Sequence, residues 1–188
     1  MARGWKHLRT AVFVAMAIMV ANQFSAGQVI RSAAGTIGLR AVVPESVTLS
    51  LSAHAVNFTL VAGRANNPGS GPVTATTSWT FTSSRFVTLY AYFSSSTSAL
   101  SDGAGHNIPS SAFQVSDNGG GFASFTGTEP FGGANAGVNL GRNRAGVNNR
   151  QGTRTDVMNF NINLSTGTLP QLPAGAYTGT LTLQVQAQ

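Results

Sequence analysis

Polar and apolar residues alternate strictly at the carboxyl end of the chain. The apolar positions of residues 180–187 are Leu181, Leu183, Val185 and Ala187, and the positions between them are Thr or Gln. A period of two is typical of a strand with one face on a core and the other in water. Just upstream, residues 175–177 predict a tyrosine corner, in which the Tyr177 hydroxyl bonds to the backbone of its own loop. The pattern therefore predicts that a β-sandwich strand closes the chain.

Similar patterns predict five further strands, at residues 45–51, 56–60, 73–81, 86–93 and 155–164. Residues 86–93 carry bulky side chains on both faces, which indicates a strand covered on both sides. Shorter runs at 112–115, 122–125 and 138–140 predict edge strands or hairpin arms, and residues 117–121 predict a hairpin loop. Since no segment predicts a long amphipathic helix, a domain boundary or a repeat, residues 28–188 predict a single all-β antiparallel sandwich.

The first 27 residues predict a secretory signal peptide. A basic stretch with Arg3, Lys6 and Arg9 precedes an uncharged apolar run over residues 11–21, and small residues follow at 25–27. The eleven-residue run is shorter than the roughly 20 residues that a membrane-spanning helix needs. We therefore expect a secreted, periplasmic or cell-surface protein without a transmembrane segment after signal removal. Cleavage after Gly27 fits best, and cleavage after Ala21 is the alternative.

Charge is sparse once the signal peptide is set aside. Residues 28–188 contain no Lys, and their eight Arg face five acidic residues, a net charge of +3. The strands must then present Ser, Thr, Asn and Gln to solvent. With no Cys there is no disulfide, so stability must come from the core. Four arginines cluster at Arg142, Arg144, Arg150 and Arg154. Because no aromatic residues interleave them, we interpret the cluster as a solvated loop and expect no nucleic-acid partner.

Groups suited to catalysis or metal binding are few. Residues 28–188 contain two His, five acids and no thiol, and no Gly-x-Ser-x-Gly motif is present. Asp102 and His106 are the one acid–histidine pair close in sequence, and the glycines between them favour a surface turn over a metal site. We therefore expect no enzyme activity, no catalytic residue, no metal and no cofactor.

Aromatic residues offer one candidate binding surface. Trp79, Tyr90 and Tyr92 would form a sugar-stacking platform if they shared an exposed sheet face. The alternative is core packing, which the pattern favours because Trp79 falls in register with Val73, Ala75 and Phe81.

Two segments carry a family resemblance. Residues 52–58 (SAHAVNF) and 172–183 (LPAGAYTGTLTL) resemble the bacterial spore coat protein U domain family, which is related to subunits of archaic chaperone–usher pili. This chain departs from the family pattern in having no Cys and in having Thr59 after Phe58. The resemblance implies an exported immunoglobulin-like domain that assembles by donor-strand exchange, with itself or other pilin-like subunits and an assembly chaperone as partners.

Residues 28–43 are the candidate donor strand, because Ile37, Leu39 and Ala41 alternate along them. The alternative is an ordinary first strand of the same domain. Together these observations predict an exported structural or surface protein, a pilin-like or coat subunit assembling by strand exchange. The alternative function is a secreted glycan-binding module.

Overall fold

The computed structural model describes residues 32–128 and 135–188. The predicted signal peptide lies outside the described residues. Contacts divide the chain into two units, Met1–Ala41 and Val42–Gln188. The described part of the first unit, residues 32–41, forms neither strand nor helix, and each of its residues is exposed.

The second unit is built from strands. They are β1 (Ser46–Leu51), β2 (Asn67–Pro68), β3 (Val73–Thr80), β4 (Arg85–Tyr92), β5 (Leu100–Ser101), β6 (Asn107–Ile108), β7 (Phe113–Asp117), β8 (Ala123–Ser124), β9 (Gly137–Ala145), β10 (Gln151–Ile162) and β11 (Thr182–Ala187). Its described helices are two single-turn 3-10 helices, Ser110–Ala112 and Leu169–Gln171. Within the described ranges no helix has the length and apolar character needed to span a membrane.

The strands form two main antiparallel sheets. Sheet I has the order β1-β3-β10-β7-β8, with β2 pairing to β10, and sheet II has the order β11-β4-β9. A separate hairpin joins β5 to β6. Side chains from both sheets share one core, so the predicted all-β antiparallel sandwich is confirmed. The order β1-β3-β10-β7 matches the A-B-E-D sheet of immunoglobulin domains.

Alternation sets which side chains enter the core. Along β3 the buried residues are Val73, Ala75, Thr77 and Trp79, and each residue between them is only partly buried. β4 buries Val87, Leu89 and Ala91 on its inner face and also Thr88 and Tyr90 on its outer face. The predicted two-sided burial of this strand is therefore confirmed.

Aromatic contacts between the sheets consolidate the core. The Phe93 ring centroid on the sheet II side lies 4.9 Å from that of Phe113 and 5.1 Å from that of Phe125. Phe58 meets Phe113 edge to face at 5.6 Å. Such pairs contribute about 0.5–1.5 kcal/mol each beyond the burial of their area. They add to the burial of apolar surface, on which a chain without disulfides depends.

Two predictions about local structure were wrong. Residues 56–60 form no strand beyond a single bridge between Phe58 and Gly69. Their apolar side chains still alternate into the core, which explains the misleading pattern. Arg150 lies in the turn between β9 and β10, as predicted for the arginine cluster. The other three residues do not lie in a loop, because Arg142 and Arg144 lie on β9 and Arg154 lies on β10. These polar stretches are held as strands by their ladders to β4 and β3, not by an apolar alternation of their own.

The backbone of Gly179 packs very closely against that of Ala99, and this contact suggests a test. A Cβ on Gly179 would lie 1.9 Å from the Ala99 carbonyl oxygen, whereas a Cβ on Gly175 would meet nothing within 4 Å. We expect Gly179→Ala to lower the free energy of unfolding by about 1–3 kcal/mol, the usual cost of forcing extra atoms into a packed site. Gly175→Ala is the matched control. Urea denaturation would measure both, and equal effects of the two substitutions would contradict this account.

Candidate functional site

One side of the sandwich is open. β1 lies at the edge of sheet I and β11 at the edge of sheet II, and each pairs on one side only among the described residues. Their inward-facing residues are half-buried, whereas those of the central strand β3 are fully buried. The core is therefore incompletely covered along the side where β1 and β11 meet.

An apolar groove occupies this open side. Its first part has a volume of about 360 Å³ and is lined mainly by Leu51, Val56, Phe58, Leu100, Leu181 and Leu183. The core residues Val73, Phe93, Phe113 and Phe160 also contribute to its lining. A second part, of about 690 Å³, shares Val56, Phe58 and Leu100 and runs along residues 172–179. We call the two parts together the groove.

The groove lies where an immunoglobulin domain has another strand. In that fold the second sheet has the order C-F-G, with G at the edge next to F. Here β4 and β11 correspond to C and F, and in the described part of the chain no strand pairs with the outer edge of β11. The free edge therefore offers backbone hydrogen-bonding groups, beside apolar side chains that are only partly covered.

The segment before β1 has the complementary character. Residues 32–43, here called the tail, form no strand, so the described part of the predicted donor does not form an ordinary first strand. Ile37 is 87% exposed and Leu39 is 93% exposed, and Ala41 is also exposed. Val43, at 67% exposed, continues the alternation. Residues 28–31 of the predicted donor lie outside the described residues.

A carboxylate holds the point where the tail joins β1. Glu45 accepts hydrogen bonds from the Thr82 amide at 2.8 Å, from the Thr82 hydroxyl, and from the Arg85 guanidinium at 2.7 Å. The Thr82 hydroxyl and amide and Arg85 lower the pKa of Glu45 from 4.5 to about 2. Glu45 thus ties the start of β1 to the turn between β3 and β4. The sequence contained no motif that marked this role.

The predicted tyrosine corner lies beside the groove. The Tyr177 hydroxyl donates to the Pro173 carbonyl at 3.0 Å, so the side chain closes its own loop. Next to it, Ser101 and Thr178 exchange two backbone hydrogen bonds of 2.9 Å. These contacts fix residues 173–178, which line the second part of the groove.

The candidate sugar platform is not brought together. Trp79 is only 4% exposed and packs with Phe81, Val87 and Ala145, while its indole nitrogen donates to the Asn149 carbonyl. Tyr90 and Tyr92 lie on β4, on the outer face of sheet II. Tyr90 is 8% exposed, and the Tyr92 hydroxyl donates to Gln184 at 3.1 Å. Core packing is therefore what the structure shows for Trp79.

Titratable groups form small pairs. Asp102 and His106 lie 2.6 Å apart in a Gly-rich turn, where Asp102 also accepts from backbone amides. Over residues 32–128 and 135–188, no three His, Cys, Asp or Glu side chains lie close enough to hold a metal ion. Between the sheets, Arg154 pairs with Asp156 at 2.8 Å and also donates to the Gly141 carbonyl on β9. Sequence reasoning missed this cross-sheet contact because Arg154 lies in a polar stretch without apolar alternation.

Comparisons with protein-family models and with characterised proteins found no match for this chain. The groove and the tail therefore carry the functional argument.

The Glu45 contacts predict a pH dependence. Because the folded-state pKa lies below the ordinary value, the carboxylate stabilises the fold above pH 4.5, and this contribution is lost between pH 4.5 and about 2. We expect wild type to be more stable than Glu45→Gln near neutral pH and the difference to be lost as the pH falls below about 2. Thr82→Ala, which removes one donor, should shift this loss to higher pH. Urea denaturation across the pH range checks both, and a difference that does not change with pH would refute the assignment.

Proposed function

We propose that this chain is an exported structural subunit that assembles by strand exchange into a pilin-like or coat-like polymer. Residues 28–43 of one copy would lie in the groove of the next. The observation that carries the proposal is the pairing of two features in one polypeptide. The described residues include a groove at the position of a sandwich strand, and a tail whose apolar residues alternate with the period of a strand.

The physical basis is simultaneous burial and hydrogen bonding. In the tail, Ile37 and Leu39 are almost fully exposed, and burying such a side chain contributes about 1.5–3 kcal/mol. The groove gains as well, because Leu181 and Leu183 are only half-buried without an occupant. An added strand would also pair with the free backbone edge of β11, as in other cases of β-strand addition.

Export and partners follow from the same features. The predicted signal peptide, residues 1–27, would direct the chain out of the cytoplasm to a secreted, periplasmic or cell-surface location. An uncovered edge strand beside an apolar groove promotes wrong pairing and aggregation. We therefore propose that an assembly chaperone covers the groove before the next subunit arrives, and that the partners are other copies or similar subunits.

We do not propose glycan binding through Trp79, Tyr90 and Tyr92, since Trp79 is buried in the core. We propose no enzyme activity, because the closest acid–histidine pair, Asp102 and His106, is tied into a surface turn.

Deletion of residues 28–43 tests the proposal directly. The truncated chain retains β1 and the strands that follow, so we expect a folded monomer that forms no polymers. Size-exclusion chromatography would report assembly, and circular dichroism would report folding. If the truncated chain unfolds, the segment belongs to its own domain and the donor hypothesis fails.

A charge placed in the tail provides a sharper test. Leu39→Asp would bring an unpaired carboxylate into an apolar groove, which is costly, so we expect loss of polymers. Thr36→Asp adds the same charge on the other face of the predicted strand and should leave assembly intact.

Peptide binding provides the matching measurement. A synthetic peptide of residues 33–43 should raise the melting temperature of the truncated chain, and the same peptide with Leu39→Asp should not. Equal behaviour of the Leu39→Asp and Thr36→Asp chains would count against a side-chain-specific groove.

A further inference from the structure

The outer face of sheet II carries an unusual concentration of positive charge. Arg142 and Arg144 lie two residues apart on β9, and both are exposed. The Arg142 guanidinium carbon lies 3.8 Å from the Phe86 ring centroid, and that of Arg144 lies 5.9 Å from it. We call Phe86, Arg142 and Arg144 the arginine face. Stacking on the ring orients a guanidinium but leaves its N–H groups available at the edge.

No side-chain carboxylate pairs with this face within the described ranges. Glu45 pairs with Arg85, Asp102 with His106, and Asp156 with Arg154. Asp117 lies on β7, in the other sheet. Neither Arg142 nor Arg144 takes part in a described ion pair. In a domain with so few charges, two neighbouring arginines without an acidic partner among the described residues leave a local positive field.

We propose that the arginine face binds acidic polysaccharide, with the guanidinium groups of Arg142 and Arg144 pairing with carboxylates along the polymer. The two residues are separated by roughly 6.6 Å along the strand, so one polymer can engage both. Arg matches carboxylate geometry by donating two parallel hydrogen bonds. This site does not use Trp79, which is buried in the core, although Tyr90 and Tyr92 lie on the same outer face of sheet II.

The surroundings favour a sugar polymer over other polyanions. Gln188, which directly follows β11, is exposed and exchanges backbone hydrogen bonds with Phe86. Amide side chains of this kind donate to and accept from sugar hydroxyls. Phe86, 37% exposed, is the one large apolar residue exposed on β4, β9 and β11, too little for insertion into a lipid surface. Arg142 already covers the Phe86 ring, so the face offers no open stack for nucleic-acid bases.

The inference does not require assembly, because Phe86, Arg142 and Arg144 belong to a single copy. It adds to the proposed function in one respect. A polymer of subunits would repeat the face many times, and linked weak sites bind far more tightly together than separately.

The test uses the secreted chain and polygalacturonic acid, with neutral dextran as the uncharged polymer. The double variant Arg142→Gln/Arg144→Gln should weaken binding by at least about tenfold, the loss expected when a charge-assisted hydrogen bond is removed. The variant Arg64→Gln/Arg150→Gln removes the same charge from exposed positions outside both the arginine face and the tail, and it should bind within about twofold of wild type. Affinity should also fall steeply as salt is raised. Calorimetry or surface-based binding would measure the constants.

Several outcomes would overturn the inference. Equal losses in the two double variants would show a net-charge effect without a site. Binding to dextran as strong as to polygalacturonic acid would remove the role of charge. Binding to anionic phospholipid vesicles or single-stranded DNA, without binding to the polyuronate, would assign the face to another partner.

The monomeric Leu39→Asp chain separates the two proposals. If it binds the polymer with its single-copy affinity, the arginine face stands whether or not strand exchange occurs. If the wild-type chain assembles by strand exchange but does not bind the polyuronate, the proposed function stands and the further inference fails.

Discussion

Burial of apolar side chains between the two sheets is the constraint on which the structure depends. It is complete at the centre, where Ala75 and Leu89 are fully buried, and incomplete beside β1 and β11. A chain without disulfides has no covalent means of holding this open side together. The same incompleteness creates the groove, and it is the basis of the proposed strand addition. The stability of the fold and the proposed assembly would therefore share one driving force, the removal of apolar surface from water.

Several of the few charged side chains connect separate strands and turns of the sandwich. Glu45 fixes the start of β1 to the turn between β3 and β4, and Arg154 reaches across the sandwich from β10 to β9. The Arg154–Asp156 pair is largely buried, where losing one partner costs far more than at the surface. Of the described acids, Glu45, Asp102 and Asp156 form ion pairs with other residues, and Asp117 lies in the other sheet. Arg142 and Arg144 remain on the surface, stacked on Phe86. Because the described residues contain so few acids, the charge of these two arginines is not offset by an ion pair there.

Sequence patterns predicted the central strands well, because their side chains alternate between a dry core and water. β3, β4 and the second half of β10 lie where the period of two placed them. Residues 56–60 show the limit of this signal, since their side chains alternate into the core although their backbone forms no ladder. β9 shows the converse. Its polar residues are extended because β4 supplies hydrogen bonds, and hydrogen-bond partners from distant segments leave no periodic mark on a sequence.

The candidate site was also predictable from the sequence only in part. Alternation alone identified Ile37, Leu39 and Ala41 as residues suited to a strand, because period and polarity are local properties. Whether such residues pair within their own domain depends on long-range contacts, and only the tertiary structure showed that the described residues 32–43 form no strand. Trp79 illustrates the same point for binding surfaces. Its residue type suits a platform equally well on either face of a strand, and packing against Phe81 and Val87 determined that it lies inside. Local chemistry sets what a residue is able to do, and long-range packing sets what it is left free to contact.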